Sequence, residues 1–397
     1  MRRNSFRSRW GFDPEIDFLN HGSFGACPMD VLAFQQALRH EMEREPIVFL
    51  WRCHEGLLEE ARLRLGKFLR CRPRDIAFVP NATTGVNTVL ASFPLQPGDE
   101  ILVTDHGYKA CNNAAERWAG ERGAKVVTAR VPFPIEGPGE VLEALLSKVS
   151  RKTRLAVVDH VSSPTALVFP IRKIVGELSR RGVETLVDGA HGPGMLPLDL
   201  KSIGAAFYTG NLHKWVCAPK GAGFLHIRED WQARIQPLVT SHGLSSTRTD
   251  RSRFLLQFDW TGTDDPTPFL SVPSALAFLE GLFPGGFAGL YKANRALAIE
   301  ARELLCRQLG IAPPCPRSML GSMAAIPLPD GPVTETPVAP LFLDRLHERL
   351  FSKCRIEVPV SNWPAYPRRV LRISAQAYND ISQFDRLGNA ISFELGL

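Results

Sequence analysis

Between residues 75 and 270 the chain alternates short apolar runs with longer helix-like segments, and this alternation constrains its fold more than any other feature. The runs are IAFVP (76–80), EILVTD (100–105), KVVTARV (125–131), RLAVVDHV (154–161), ETLVDGA (184–190) and AAFYTG (205–210). Strands that alternate with helices predict an α/β fold, a parallel sheet covered by helices, with ligands bound outside the carboxyl ends of the strands. GAGFLHIR (221–228) reads as one more strand. At 397 residues the chain is too long for one ordinary core, so two domains are expected. Past residue 285 or so the texture changes: helix-like 287–310, Pro-rich 311–317, strand-like SMAAIPL (322–328), helix-like LFLDRLHERLFSKC and strand-like VLRISAQAYN. The expected division is an N-terminal arm and loop over 1–28, a large domain over 29–285 and a small C-terminal domain over 286–397.

Smaller expectations accompany these. Residues 11–28 read as loop, 30–70 as one long helical pattern, and the proline-bearing 329–340 as a surface loop. MRRNSFRSRW (1–10) carries four arginines with no apolar stretch behind them, so it reads as a mobile basic arm and not as a secretory signal.

The most chemically informative stretch is TLVDGAHGPG (185–194) followed by FYTGNLHKWVCAPKGAGFLH (207–226). One apolar run ends in Asp188, with His191 three residues on, and the next delivers His213 and Lys214 into a glycine-bearing loop. That layout suits pyridoxal 5'-phosphate. A carboxylate at a strand end keeps the pyridine nitrogen protonated, and a lysine captures the aldehyde as a Schiff base and then moves a Cα proton. Either residue alone reads as a cap or a solvated charge; their order and 26-residue spacing carry the signal. The cofactor needs a phosphate cradle, and PNATTGVNTVL (80–90) places Ala82, Thr83 and Thr84 where a strand passes into a helix, with free N–H groups and the positive end of the helix dipole. A plain N-cap is the alternative reading of that run. His106 or Tyr108 can stack on the pyridine face, and the sequence leaves the choice open. Asn112 and Ser163 or Thr165 are candidates near the ring's phenolic oxygen, and His191 either orients Asp188, packs near the ring or is a structural histidine. Trp215 reads as packing, and Arg52 as a solvated face or a contact for a second acidic group.

From FLNHGSFGACP (18–28) through DHGYKACNN (105–113) and LHKWVCAPKGAGFLH (212–226) to LRISAQAYND (371–380), the chain resembles the class V aminotransferase family and, within it, the isopenicillin N epimerase-like branch. The resemblance implies a fold-type I pyridoxal-phosphate enzyme. Its large domain would hold a mixed, mostly parallel seven-stranded sheet covered by helices, with 221–228 antiparallel, beside a smaller α+β C-terminal domain. It further implies that Asn211 and His213 reach the phosphate, that Gly262 and Thr263 are lent by a second subunit of a homodimer, and that Arg372 forks onto a substrate carboxylate. Asn20 and His21 would line the same entrance, and in this branch Tyr108 stands where desulfurases stack a histidine.

The bulk numbers exclude other classes. The net charge of +6 is spread along the chain with no nucleic-acid-binding signature, and no apolar run approaches the roughly 20 residues of a membrane span. Eight dispersed cysteines without a CxxC pair argue against zinc or a disulfide framework and for a reducing cytosol. The expected partner is a small amino-acid substrate. Loss of a Cα proton leads to epimerisation, to β-elimination as in a C–S lyase, or to transamination, and the first is favoured by a small margin. A proton donor opposite Lys214 is needed for epimerisation, with Tyr108, His21 or water available. A persulfide-transferring desulfurase is disfavoured, because 357–369 carries no cysteine and Cys354 lies 18 residues before Arg372. A non-catalytic binding protein is disfavoured by the presence of Lys214.

Overall fold

The computed structural model describes residues 6–332 and 344–396. Its strands are β1 (Asp17–Phe18), β2 (Ile76–Val79), β3 (Glu100–Thr104), β4 (Lys125–Ala129), β5 (Thr153–Asp159), β6 (Glu184–Asp188), β7 (Phe207–Asn211), β8 (Gly223–Ile227), β9 (Met323–Leu328), β10 (Ile356–Glu357), β11 (Val360–Asn362) and β12 (Arg369–Ser374). Seven of them form one sheet in the order β2-β8-β7-β6-β5-β3-β4. Every residue of β2, β7 and β8 is buried, as expected of strands covered by helices on both faces, and this is why they read as continuous apolar runs.

Only β8 runs against the rest, antiparallel to both β7 and β2. The reason is chain length. Residues 212–222 are too few for a crossover, which needs a dozen or more, so the chain turns straight back beside β7. Strand order reverses between β3 and β5, which are parallel neighbours, and the crevice outside their carboxyl ends is where a doubly wound sheet binds ligands.

A second, antiparallel sheet, β11-β12-β9, pairs Arg372 with Ala325 across the strands. The N-terminal segment is stitched to this part of the chain: β1 pairs in parallel with β10, and Leu19 bonds Glu357 and Ser374 through its backbone.

Three expectations are corrected. The long helical pattern over 30–70 is two helices, Met29–Arg44 and His54–Leu69, parted near Pro46 and joined through a π-helical turn over Val48–Cys53. The described end of the basic arm is anchored: Trp10 is buried edge-on against Phe278 and Tyr378, and Arg7 donates to the carbonyls of Asp13 and Ile16. The stretch 11–28 includes β1 and the helical turn His21–Phe24. Most of 329–340 lies outside the described residues. No helix among the described residues is long and apolar enough to cross a membrane.

Candidate active site

Lys214 occupies the short return between β7 and β8, and its main chain is pinned from three sides. Gly25, at φ +68°, lies so close to the His213 and Lys214 backbone that any Cβ there would collide with it, and Gly194, at φ +82°, does the same to Trp215. His21 supplies the third contact. A carbonyl can only accept, so His21 Nε2 donates to the Lys214 carbonyl at 3.0 Å while its Nδ1 accepts the Tyr378 hydroxyl at 2.8 Å. Burial, aided by the charges of Lys220 and Lys214 and opposed by the Lys214 carbonyl bond, holds His21 neutral, its pKa lowered to about 3.

The Lys214 side chain enters a cavity of about 510 Å3. Burial, reinforced by the charge of Arg372 and opposed by Asp188, lowers its pKa to about 8. Its Nζ lies 3.3 Å from His191 Nε2. On the sheet side the cavity is walled by Asp188, ending β6, and Asp159, ending β5, which are register partners on adjacent strands. Asp188 accepts the Ala190 N–H at 2.9 Å and the Cys111 thiol at 3.1 Å. Burial, followed by the Asp188 charge, pushes Asp159 well above the usual carboxylate range.

Where β2 passes into the helix Ala82–Ser92, Asn81, Ala82, Thr83 and Thr84 line the cavity. Asn81 caps this helix by accepting the Thr84 N–H, and the Asn211 side chain accepts the Ala82 N–H at 2.8 Å. Tyr108 is half-exposed at the mouth, following β3 at the point where strand order reverses. Ser23, Phe24 and Ser163 complete the wall.

Arg372 sits behind that wall. Its Nη1 donates to the Ser163 carbonyl at 2.7 Å and hydroxyl at 3.2 Å, its Nη2 donates to Ser23 Oγ at 2.9 Å, and its buried Nε has no partner. No carboxylate pairs with it among the described residues, and burial lowers its pKa to about 10. A cation kept so far from water without a counter-ion is a place for an anion to bind.

Of the residues chosen from sequence, Ala82, Thr83, Thr84, Tyr108, Ser163, Asp188, His191, Asn211, His213 and Lys214 line this one cavity. Several others are placed elsewhere. His106 is buried behind it, with Nε2 donating to the Val131 carbonyl and Nδ1 accepting the Thr165 hydroxyl, so neither His106 nor Thr165 reaches the cavity. Asn112 donates to the Thr104 carbonyl. His21 faces Lys214's backbone and Tyr378 instead of a substrate, which removes it as a proton donor. Asn20 bonds Glu357 and the Ser23 hydroxyl, reaching the site only through Ser23. His191 contacts Lys214 and Trp215 and makes no hydrogen bond to Asp188. Arg52 is exposed and outside the cavity. Gly262 lines an adjoining recess that shares only Thr84 with this cavity, and Thr263 is exposed beside it.

Asn81, Ser23, Phe24, Asp159 and Cys111 were not singled out from sequence. Asp159 carried a usable signal, since it ends an apolar run just as Asp188 does. An amine of lowered pKa, two carboxylates at strand ends and a helix N-terminus around one cavity fit a phosphorylated pyridine aldehyde: Lys214 for the aldehyde, Asp188 for the ring nitrogen and Ala82–Thr84 for the phosphate.

Residues 50–262 match the family model for aminotransferase class-V. The chain is 37% identical to an isopenicillin N epimerase of Amycolatopsis lactamdurans, over 97% of this chain and 96% of that one. It is 30% identical to an Arabidopsis thaliana protein named "Probable L-cysteine desulfhydrase, chloroplastic", over 96% of this chain and 83% of the relative. Among solved structures, the cystine C–S lyase C-DES superposes with a TM-score of 0.78 at 22% identity, covering 96% of this chain and 98% of that one.

Proposed function

The chain belongs to the class V aminotransferase family of pyridoxal-phosphate-dependent enzymes, and from that premise we propose that it inverts the Cα centre of a free amino acid or amino-acid conjugate. The observation that carries the reading is Arg372, a buried guanidinium without a counter-ion next to Lys214. An α-carboxylate bound there would bring the substrate's Cα to the lysine amine.

Bound pyridoxal phosphate supplies the electron sink for the pair left when a Cα–H bond breaks. The chain's residues do the rest. Lys214 would hold the cofactor and, as the free amine, would take the Cα proton of a bound substrate at Nζ, whose pKa of about 8 suits base work near neutrality. Asp188, fixed by Ala190 and Cys111, would keep the ring nitrogen protonated. Ala82, Thr83 and Thr84 would hold the phosphate, with Asn211 and His213 alongside. With His21 committed to the backbone, Tyr108 at the cavity mouth is the side chain that would return a proton to Cα.

A homodimer is part of this reading. Gly262 and Thr263 lie outside their own chain's cavity, and the exposed Leu238 and Val239 border the same recess as Gly262. A second copy covering that face would bring these residues to its neighbour's phosphate. A division at residues 28 and 285, and a place in the cytosol, belong to the same proposal.

β-Elimination from a cysteine conjugate is the second reading, favoured by the desulfhydrase relative and served by the same residues. The experiment is incubation of the holoenzyme with a panel of D- and L-amino acids and conjugates in deuterated water. Deuterium at Cα together with loss of optical purity supports inversion. Pyruvate and ammonia would replace it with the lyase, and turnover that requires a keto acid would replace it with transamination.

A further inference from the structure

His191 is held between two side-chain nitrogens. On one side the Trp215 indole Nε1 donates to His191 Nδ1 at 3.3 Å, and on the other His191 Nε2 lies 3.3 Å from Lys214 Nζ. An indole nitrogen only donates, so Nδ1 is the acceptor and carries no proton. A neutral imidazole keeps one proton, which must then sit on Nε2, facing the lysine. A nitrogen approached by that N–H has to offer a lone pair, and an ammonium has none.

We propose that Trp215 is a positioning residue whose indole N–H fixes His191 in the tautomer that donates to Lys214, holding that lysine as the free amine. The free amine is the form that can attack the aldehyde of the cofactor or accept a proton. Burial, then the charge of Lys214, depresses the His191 pKa well below the ordinary value, which agrees with a neutral ring. Trp215 is fully buried and wedged against Gly194, so its bulk alone is a packing element; the donor is what a purely apolar residue would lack. Other charges also face the amine. Arg372 disfavours the ammonium, whereas Asp188 and Asp159 favour it. His213 and His21 are nearby and held neutral by burial. The carboxylates pull toward the charged form, and the His191 donor opposes them from the ring side.

The inference rests on Lys214 being the attachment point, but its test reads the histidine and the lysine themselves. In the cofactor-free full-length chain, ring-nitrogen NMR locates the His191 proton, the resonance being assigned by its loss in His191→Gln. The proton is expected on Nε2 in the native chain and on Nδ1, or shared, in Trp215→Phe. Competitive acetic anhydride labelling, read on the Lys214 peptide by mass spectrometry, should place the amine's titration about one pH unit higher in Trp215→Phe, a tenfold loss of free amine at a given pH below it. A native His191 protonated on Nδ1 would overturn the proposal, as would a folded Trp215→Phe with an unmoved Lys214 titration. Should that variant fail to fold, the native nitrogen spectrum decides alone. If Lys214→Ala still bound pyridoxal phosphate with the native colour, the attachment reading would fail while the tautomer stood.

Discussion

Replacing Arg372 with leucine should leave stability nearly unchanged and cut turnover sharply. In the substrate-free chain the guanidinium is buried with hydrogen bonds to Ser163 and Ser23 and no carboxylate, and its pKa falls from 12.5 to about 10. At roughly 1.4 kcal/mol per pH unit, keeping the cation charged costs the folded state about 3 kcal/mol. The folded pKa is depressed for a base, so that cost applies at every pH below about 10, which includes the whole working range. Leucine removes it but gives up three hydrogen bonds at about 0.5–1.5 kcal/mol each, so the two effects nearly cancel and the net change lies within about 1–2 kcal/mol of zero. For a chain of 397 residues that is a shift in melting temperature of no more than about 2 °C either way. With an amino-acid substrate the same change deletes the cation placed for the carboxylate, a loss of about 3 kcal/mol or more, which is at least ~150-fold in kcat/KM. Thermal scans without substrate and initial rates on one preparation measure both. A variant that melts many degrees lower than the native chain and keeps its KM would refute the view of Arg372 as an uncompensated charge awaiting substrate.

Further outcomes are expected. Tyr108→Phe should leave substrate KM within a few-fold and slow inversion by about 10²–10⁴, the usual weight of one general acid, while Cα deuterium exchange from the Lys214 side persists; equal loss of both reactions would show that Tyr108 acts otherwise. Asp188→Asn should slow Cα exchange for every substrate far more than it weakens cofactor retention, whereas Cys111→Ala, which removes one hydrogen bond to Asp188, should slow exchange by no more than about tenfold; unchanged exchange in Asp188→Asn would remove the ring-nitrogen role. Several histidines are held neutral by burial, among them His21 with a pKa lowered to about 3, and His160, His213 and His226 each to about 4. The unfolded chain takes up these protons from about pH 6.5 downward while the folded chain does not, so each site removes about 1.4 kcal/mol per pH unit between there and its folded pKa. Calorimetric scans should show the melting temperature falling as pH drops from about 7 to 5, and a flat profile would contradict the neutral assignment.

The order of secondary structure was legible because a helix-covered strand must be apolar along its whole length. All seven strands of the large sheet lie within the runs read from sequence or overlap them closely. The long helical pattern misled because helical periodicity continues across Pro46, where the chain parts into two helices. At the site, residues adjacent in sequence to a strand end were found, since the parallel sheet delivers all its strand ends to one crevice. The misplaced ones share a different property. His21 and His106 occur in polar, loop-like motifs, and nothing in such a motif says which way a ring turns.

What the sequence by itself determined is the chemistry on offer: a carboxylate at 188, a lysine at 214 and a helix start at 82, each bound to a strand end by local hydrophobic pattern. That is a matter of covalent order and short-range periodicity, which one chain carries in full. Only the tertiary structure decided that Asp159 stands beside Asp188, that Arg372 lies buried without a counter-ion, and that His21 and Trp215 serve Lys214 from behind. Those facts depend on register between strands and on contacts spanning hundreds of residues. The direction of a side chain, and the loss of water around it, exist only once the distant parts of the chain have packed.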